Sequence, residues 1–306
     1  MPQVSVIMPV FNMDQESDIL QTAVDSIKNQ TYQDWELLIC DDGSADGTLQ
    51  ELRKLAHTDK RIRILYSLKN HKAGWARNAC IRAARGRFIA IMDADDIADV
   101  HRLEIQTNFL NRHPEYAFVG SHAWMLDDRG IWGLRRMEAM PDVRSFLDTL
   151  PFVHPSVLLR TEVVRAVHGY RQTPAFYRVE DYEFLMRLYA YGYRGYNIQK
   201  PLLSYREDAR AYHRRKYRYR ITECRMRYRG FQSLGILHGN LYYVIKPLAA
   251  GLIPAFIMRK NREKRFRMQE KTKNVLWCRE KRFIVQGKTR KKQGKTLCGV
   301  GEKSNE

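Results

Sequence analysis

Two hydrophobic periods alternate along the first ninety residues of the chain. Short, almost continuous apolar runs predict buried strands at residues 4–8, 35–40, 62–66 and 88–92. Between these runs, apolar residues recur every three or four positions, which predicts helices beginning near Ser17 or Asp18, near Asp46 and near Gly74. Strands of this kind alternating with helices are typical of a mostly parallel sheet with helices on both faces. The pattern therefore predicts an α/β fold.

The alternation becomes irregular after residue 92. The sequence predicts a helix over 100–112, strands at 116–119 and 157–159, and a helix from near Val179 to Gly192. Mixed elements after a parallel half indicate one domain that contains a second subdomain. We predict that this domain occupies residues 1–210. The hydrophobic fraction of 44% is ordinary for a globular protein and excludes disorder throughout.

The net charge of +19 is placed very unevenly. Residues 212–306 hold 26 of the 53 Lys and Arg residues but only 6 of the 34 Asp and Glu residues. The remainder, 1–211, is therefore close to neutral, and residues 211–306 are predicted to form a separate basic, helical tail. Five scattered cysteines argue against a disulfide scaffold, and no signal peptide is visible, so a cytoplasmic protein is expected.

The tail divides into three parts. Residues 210–232 alternate basic and aromatic side chains, 241–258 are apolar apart from Lys246, and 259–306 are basic with an end predicted to be disordered. The apolar part has eighteen residues, including Pro247 and Pro254, and is shorter than the ~20 that span a bilayer. A segment lying in the membrane interface, with basic flanks that attract anionic lipid, is favoured over a buried or a spanning helix.

Two acidic clusters follow predicted strands. Asp41 and Asp42 follow the second strand, and the Asp93-Ala94-Asp95-Asp96 run follows the fourth. In an open parallel sheet, ligands bind beyond the carboxyl ends of the strands. Asp93 and Asp95 are spaced to converge on Mg²⁺ or Mn²⁺, which would in turn bind phosphate oxygens, although the same acids could serve only as turn and helix-cap residues.

The common phosphate-binding loops are absent from the sequence. No Gly-x-Gly-x-x-Gly follows a strand, and there is no Gly-x4-Gly-Lys-Ser/Thr loop. A dinucleotide dehydrogenase and a P-loop NTPase are therefore disfavoured. Phosphate binding would fall to a metal ion and to basic side chains such as Arg77.

A series of segments in a fixed order resembles family 2 glycosyltransferases over residues 3–207. The segments are 4–12 (VSVIMPVFN), 30–32 (QTY), 36–44 (ELLICDDGS), 74–78 (GWARN), 93–96 (DADD), 154–156 (HPS) and 180–181 (ED), the last with Leu185 and Arg187. The resemblance implies a nucleotide-binding α/β domain of the GT-A type. It implies an enzyme that moves a sugar from a nucleoside-diphosphate donor, usually linked to UDP, to a glycan or lipid-linked acceptor.

The resemblance also implies roles for individual residues on the donor side. Asp42 matches the acid that contacts the nucleotide base, with Pro9 and Asn12 at the mouth of that pocket. Arg77 matches a basic residue near the nucleotide. Asp95 is expected to contact the metal directly, with Asp93 nearer the ribose and sharing the metal.

On the acceptor side, Asp181 matches the catalytic base and Glu180 a supporting acid. Arg187 belongs to the same motif and is grouped with the residues that bind the nucleotide-sugar. His154 is expected either to touch the diphosphate or metal, or to be a packed structural residue. The implied mechanism is a single displacement that inverts the anomeric carbon, in which Asp181 takes the proton of the attacking hydroxyl.

Two other functions fit parts of the sequence. The basic and aromatic stretch at 210–232 would suit a nucleic-acid-binding protein, but acidic clusters at the strand ends disfavour a polyanionic partner. A sugar nucleotidyltransferase would need a Gly-rich loop where this chain has Pro9-Val10-Phe11-Asn12. We therefore expect an inverting glycosyltransferase held peripherally, through 212–306, at the inner face of the cell membrane.

Overall fold

A computed structural model describes residues 1–173, 176–207 and 217–251. Its strands are β1 (Val4–Val10), β2 (Trp35–Asp42), β3 (Ile62–Ser67), β4 (Phe88–Ile91), β5 (Ile97–Ala98), β6 (Phe118–Asp127), β7 (Gly130–Arg135), β8 (Leu158–Arg160) and β9 (Gly195–Arg206). Its helices are α1 (Ser17–Lys28), α2 (Thr48–Thr58), α3 (Ala73–Ala83), α4 (Arg102–Arg112), α5 (Thr161–Ala166), α6 (Glu180–Ala190), α7 (Arg218–Ser233) and α8 (Leu241–Ala250).

The strands of this described part form one mixed sheet in the order β3-β2-β1-β4-β8-β6-β9-β5, with β7 paired to β6. The first half is parallel: β1 lies between β2 and β4, so Val6 faces Leu37 on one side and Ala90 on the other. The second half begins where β8 pairs antiparallel with β4. The predicted α/β class, with a mostly parallel sheet, is confirmed.

Both faces of the parallel half are buried. Val4, Val6 and Met8 of β1 face a core shared with α1, α2 and α4, whereas Ile7 faces the core of α3, α5 and α6. Because neither face meets water, polar residues do not alternate with apolar ones along these strands. This is the physical reason for the continuous apolar runs in the sequence.

The structure corrects two details of the predicted elements. Asp41 and Asp42 were expected in a turn but end strand β2, where Asp42 pairs with Ser67 of β3. The helix expected from residue 100 begins at Arg102, because Asp99 first forms a turn in which its side chain accepts a hydrogen bond from the His101 amide. Strands β5, β7 and β9 were not predicted.

The described part of the tail packs against the body of the protein. Met226 and Phe231 of α7 and Val244 of α8 belong to the same hydrophobic core as α6. The Arg227 side chain donates to the Leu147 carbonyl at 2.8 Å, and Lys246 forms an ion pair with Asp148. Residues 217–251 are therefore continuous with the core of the body.

The apolar segment predicted at 241–258 is described only as far as residue 251. Within it, Val244 and Pro247 are buried, whereas Leu241, Tyr242 and Ile245 are exposed. Across the described ranges, no helix combines the length and apolarity needed to cross a bilayer. The rest of that segment, the predicted disordered end and the 210–216 part of the basic and aromatic stretch lie outside the described residues.

Candidate active site

The two acidic clusters lie at the same edge of the sheet. Strands β1, β2 and β4 are parallel neighbours, so their carboxyl ends open on one side. Asp42 is the last residue of β2, and Asp93 follows β4 by two positions. The edge predicted to bind a ligand therefore carries both sets of carboxylates.

Asp42 closes the loop between β3 and α3. Its two carboxylate oxygens accept hydrogen bonds from the backbone amides of His71 at 2.9 Å and Lys72 at 2.7 Å. Burial raises the pKa of Asp42 above its ordinary value, although these two bonds oppose the shift. Each oxygen retains a lone pair, so Asp42 can accept a further hydrogen bond from a bound base.

Gly43 allows the loop after β2 to approach the loop after β3. Its φ is +74°, and a Cβ there would lie 2.5 Å from the backbone carbon of Lys69. Only glycine meets both conditions without strain.

Asn12 ties the end of β1 to the loop after β2. It has a left-handed φ of 52°, its amide donates to Ser44 Oγ at 2.9 Å, and its Oδ1 accepts from the Ala45 amide at 3.1 Å. Pro9 is half-buried in β1, in register with Cys40 of β2. The side chains predicted at the pocket mouth are thus held by the same pair of strand ends as Asp42.

Arg77 bridges the acid after β4 and the acid pair at the start of α6. Its Nη2 donates to Asp93 Oδ1 at 2.7 Å, and its Nη1 lies 3.8 Å from Glu180 Oε1. The side chain is only 7% exposed. Burial alone would raise the pKa of the Asp93 carboxyl, but the charge of Arg77 and its hydrogen bond lower it below its ordinary value. Asp93 is therefore held ionised.

Two polar atoms beside this bridge have no partner among the residues that the structure describes. They are Arg77 Nε and Glu180 Oε2, and both are buried. Buried polar groups in native proteins are normally hydrogen-bonded to protein, water or ligand. These atoms retain a donor and an acceptor for a bound molecule.

His154 lies under the bridge and is buried. Its Nε2 is 2.9 Å from the Tyr170 hydroxyl, and the Tyr170 ring lies 5.6 Å from the Arg77 guanidinium carbon. Burial, followed by the charge of Arg77, lowers the pKa of His154 to about 3, so the ring is neutral at physiological pH. The Tyr170 backbone is in turn fixed by Asn78, whose side chain bonds to both its amide and its carbonyl.

Asp181 lies in the first turn of α6. Its Oδ1 accepts a hydrogen bond from the Tyr182 amide at 2.8 Å. Burial, followed by the negative charge of Glu180, raises the pKa of Asp181 to about 6. A carboxylate that is ionised at neutral pH and retains appreciable basicity is suited to accept a proton.

Arg187 does not join this cluster. It is buried and pairs with Glu183 at 2.8 Å on the same helix, and its Nη2 donates to the Gly169 carbonyl at 2.7 Å. It also donates to the Val167 carbonyl. Arg187 therefore fixes the loop that carries Tyr170.

The acids after β4 fit a divalent cation that draws further ligands from a diphosphate. Asp93 and Asp95 offer the carboxylate oxygens that Mg²⁺ and Mn²⁺ prefer. No group of three or more potential metal ligands occurs within 1–173, 176–207 and 217–251. An ion at Asp93 and Asp95 would thus depend on oxygens of the donor, which is the usual situation for Mg²⁺ bound with phosphates.

Asp96 anchors the loop on its buried side. Its Oδ1 accepts from the Arg206 amide at 2.8 Å, and Arg206 Nε donates to the Asp95 carbonyl at 3.3 Å. Arg102 is fully buried beneath the loop and donates to the Ile91 carbonyl at 2.8 Å. Burial lowers the pKa of Arg102 to about 10, which leaves it charged at neutral pH.

Several residues of the site escaped the sequence analysis. Tyr170, Asn78, Arg102 and Arg206 act through contacts at least 11 positions apart in sequence, whereas Glu183 pairs with Arg187 four positions along the same helix. Asn78 stood inside a quoted motif, and its position one residue after Arg77 was the available signal. For Glu183, the available signal was its spacing of four from Arg187, which is that of a helical ion pair. For Tyr170, Arg102 and Arg206, the sequence carries no local pattern that distinguishes them from surface or core residues.

Carboxylates at the ends of two parallel strands lie near an acid pair on a helix. This arrangement is typical of an α/β enzyme with a nucleotide-binding half. Comparison with known families makes this specific. The family model described as Glycosyl transferase family 2 matches residues 5–183. The chain belongs to this family and is a nucleotide-sugar glycosyltransferase, so the binding-protein and nucleotidyltransferase alternatives are set aside.

Named relatives agree with this assignment. The putative glycosyltransferase EpsE of Bacillus subtilis (strain 168) is 34% identical over 270 residues, which are 88% of this chain and 96% of the relative. The putative teichuronic acid biosynthesis glycosyltransferase TuaG of the same strain is 30% identical, over 67% and 79% of the two chains. The UDP-Glc:alpha-D-GlcNAc-diphosphoundecaprenol beta-1,3-glucosyltransferase WfgD of Escherichia coli is 39% identical over 42% of this chain and 49% of the relative.

Solved structures share the fold. S. aureus TarS 1–349 in complex with UDP-GlcNAc has a TM-score of 0.62 at 18% identity, covering 82% of this chain and 72% of TarS 1–349. The mannosyltransferase PcManGT from Pyrobaculum calidifontis, in complex with GDP-Man and Mn²⁺, has a TM-score of 0.58 at 17% identity, over 96% and 88% of the two chains. The architecture is therefore of the GT-A type.

Proposed function

We propose that this enzyme is an inverting, metal-dependent glycosyltransferase that moves a sugar from a UDP-linked donor to a hydroxyl of a lipid-linked glycan. The observation that carries the proposal is the Arg77 bridge, which joins Asp93 on the donor side to Glu180 beside Asp181. The Arg77 guanidinium thereby links a site for the diphosphate to the acid pair that contains the candidate base.

The chain's own residues divide the work on the donor. Asp42, with Pro9 and Asn12 nearby, accepts a hydrogen bond from the base, which suits the N–H of uracil. Asp93 and Asp95 would hold Mn²⁺ or Mg²⁺ together with the diphosphate. The ion, when bound, offsets the charge that grows on the leaving nucleoside diphosphate. Neutral His154, fixed by Tyr170, keeps the floor of this region rigid.

Asp181 acts on the acceptor. With its pKa raised to about 6, it is ionised at neutral pH and takes the proton of the acceptor hydroxyl as that oxygen attacks the anomeric carbon. Attack from the face opposite the diphosphate inverts the configuration. Burial, together with the negative charge of Glu180, keeps the pKa of Asp181 raised. Arg187 positions Tyr170 rather than touching the sugar.

The relatives support the substrate classes. The name of WfgD specifies UDP-Glc and a diphosphoundecaprenol acceptor, TarS was solved with UDP-GlcNAc, and PcManGT with Mn²⁺. The name of TuaG places that protein in teichuronic acid biosynthesis. We accordingly propose a role in cell-envelope polysaccharide assembly, at the inner face of the membrane.

A donor panel tests the proposal. UDP- and GDP-sugars are incubated with soluble and undecaprenyl-diphosphate-linked acceptors, with Mn²⁺, Mg²⁺ or EDTA, and nucleotide release and product anomer are measured. We expect UDP release that requires metal and a lipid-linked acceptor, with inverted product. Exclusive use of a GDP-sugar would refute the uracil assignment, full activity in EDTA would refute the metal, and a retained anomer would refute the single displacement.

A further inference from the structure

Helices α7 and α8 present apolar side chains on one exposed surface. The α8 residues Leu241, Tyr242 and Ile245 are 57, 65 and 58% exposed, opposite the buried Val244 and Pro247. On α7, Ile221 and Tyr228 are also exposed. We define the tail face as Ile221, Arg225, Tyr228, Gln232, Leu241, Tyr242 and Ile245.

A groove joins the two helices on this face. It is a shallow, open groove of about 500 Å³, lined by Tyr228 and Gln232 of α7, by Leu241 of α8, and by the turn between them. Gly235 and Gly239 in that turn have positive φ values, and a Cβ at either would meet open space. The groove therefore continues the apolar surface from one helix to the other.

The exposure of these residues is not due to a loosely attached helix. Phe231 is fully buried on the opposite side of α7, and Val244 is nearly so on α8. Arg227 donates to the Leu147 carbonyl, and Lys246 pairs with Asp148. A firmly packed pair of helices thus holds several apolar side chains outward. Single exposed apolar residues are normal on protein surfaces, whereas a contiguous apolar patch indicates a binding surface.

The charge around the tail face favours an anionic partner. Residues 217–251 contain six basic residues and one acidic residue, Glu223. Glu223 is turned inward, where it pairs with Arg220 and Arg227. Arg225 and Arg229 are exposed on the same side of α7 as Tyr228. The sequence after residue 251 adds 17 basic and 5 acidic residues.

The tail face begins beside the acid pair of the site. Arg178, two residues before Glu180, places its guanidinium 5.6 Å from the ring of Tyr219 in the first turn of α7. An object that docks along α7 and α8 is therefore brought close to the start of α6. This is where the proposed acceptor hydroxyl must arrive.

We propose that the tail face is a docking surface for an anionic lipid bilayer. Leu241, Tyr242 and Ile245 enter the interface of the bilayer, and Arg225 and Arg229 meet lipid phosphates, as in amphipathic helices that lie in the membrane plane. The inference rests on the proposed function only in that a lipid-linked acceptor gives the docking a purpose.

Vesicle sedimentation of the full-length chain tests this surface. The variant is Leu241→Gln/Ile245→Gln. Glutamine has a side chain of similar size and favours a helix, but it removes the apolar surface. The matched control is Ile131→Gln on β7, at an isoleucine that is 42% exposed. Binding is measured on vesicles of phosphatidylglycerol and phosphatidylcholine mixed, and on phosphatidylcholine alone. Thermal midpoints check folding, and UDP release with an undecaprenyl-diphosphate-linked acceptor dispersed in detergent, without vesicles, checks the chemistry.

We expect the double variant to lose about tenfold or more in vesicle partitioning, with the control unchanged, since apolar burial drives interfacial binding. We also expect wild type to bind the anionic vesicles about tenfold better than the zwitterionic ones. Equal partitioning of the variant and wild type would overturn the proposal. A second result would also overturn it: wild type is a dimer, the double variant is a monomer, and neither protein binds vesicles. The tail face would then be an interface between copies of this chain. Because UDP release is scored separately, failure of the surface and failure of the chemistry are distinguishable.

Discussion

Replacing Asp181 with Asn is expected to abolish transfer and, at the same time, to stabilise the folded protein. Asn keeps the side-chain oxygen that accepts from the Tyr182 amide, so local geometry is preserved. It removes the proton acceptor, which is typically worth ~10²–10⁴-fold in rate. It also removes a charge that the folded state holds in a half-buried position beside Glu180.

The magnitude follows from the pKa of Asp181, which is raised from 3.8 to about 6 in the folded protein. Each unit corresponds to about 1.4 kcal/mol, so the charged form disfavours folding by about 3 kcal/mol. The sign follows from proton linkage. A raised folded-state pKa favours folding when the group is protonated, and this contribution is lost as the pH rises through about 6. The free energy of unfolding of the variant should therefore exceed that of wild type most above pH 6, and the difference should vanish below about pH 4.

Paired measurements check both effects. Urea unfolding at pH 8, 7, 6 and 5 gives the free-energy difference, and thermal melts at pH 8 should show a rise of several degrees. Donor binding by calorimetry should be nearly unchanged. The control is Asp18→Asn, the same substitution in the first turn of α1 at an exposed position, where no stabilisation is expected.

The two parts of the prediction fail separately. Near wild-type turnover in Asp181→Asn would refute its role as base. An unchanged or lower stability at pH 8, or a difference independent of pH, would refute the argument from burial.

Further predictions concern pH, the loop after β2 and the bridge. Turnover of the wild type should rise with pH through about 6 as Asp181 loses its proton, and a flat profile from pH 5 to 8 would contradict this. Gly43→Ala should destabilise the protein by more than ~1 kcal/mol and weaken donor binding, because its Cβ would meet Lys69. Gly130→Ala is the control, since its φ is also positive but its Cβ would meet nothing within 4 Å. Arg77→Met should cost about 1–3 kcal/mol in unfolding free energy, because it removes the cation that pairs with the half-buried carboxylates of Asp93 and Glu180. A loss in urea melts below ~1 kcal/mol would show that the bridge contributes little.

The sequence was sufficient for the parallel half of the fold, and the reason is physical. Strands buried on both faces must be almost entirely apolar, and 4–8, 35–40 and 88–92 therefore stand out against the amphipathic helices between them. Strand β9 lacks this contrast. It begins Gly195-Tyr196-Asn197 and includes Lys200-Pro201, where the pairing with β6 shifts register, so no regular period marks it.

The site was predictable to the extent that its residues are close in sequence. Asp42 ends an apolar strand and Asp93 follows one by two positions, where an acid stands out from its apolar neighbours. Asp181 lies in the first turn of a helix, where acids are common, and only its resemblance to a family motif singled it out. The links between them are long-range, such as Asn78 with Tyr170 and Asp96 with Arg206, and no local pattern encodes them. Arg187 was singled out by its motif as a residue that binds the nucleotide-sugar. Its contacts with Glu183 and the Gly169 carbonyl, which give it a positioning role, were not predicted.

The Arg77 bridge has a consequence for how this enzyme can change. One guanidinium is shared by Asp93, on the proposed donor side, and Glu180, on the proposed acceptor side, so a substitution at either acid alters the pairing left to the other. Double-mutant cycles between the two are expected to show non-additive energies, as residues in one ionic network do. Donor preference and acceptor preference would then be epistatic, and a lineage or an engineer altering one would meet effects on the other. Specificity in this chain is expected to evolve by paired substitutions across the bridge, rather than by independent exchange of the two halves.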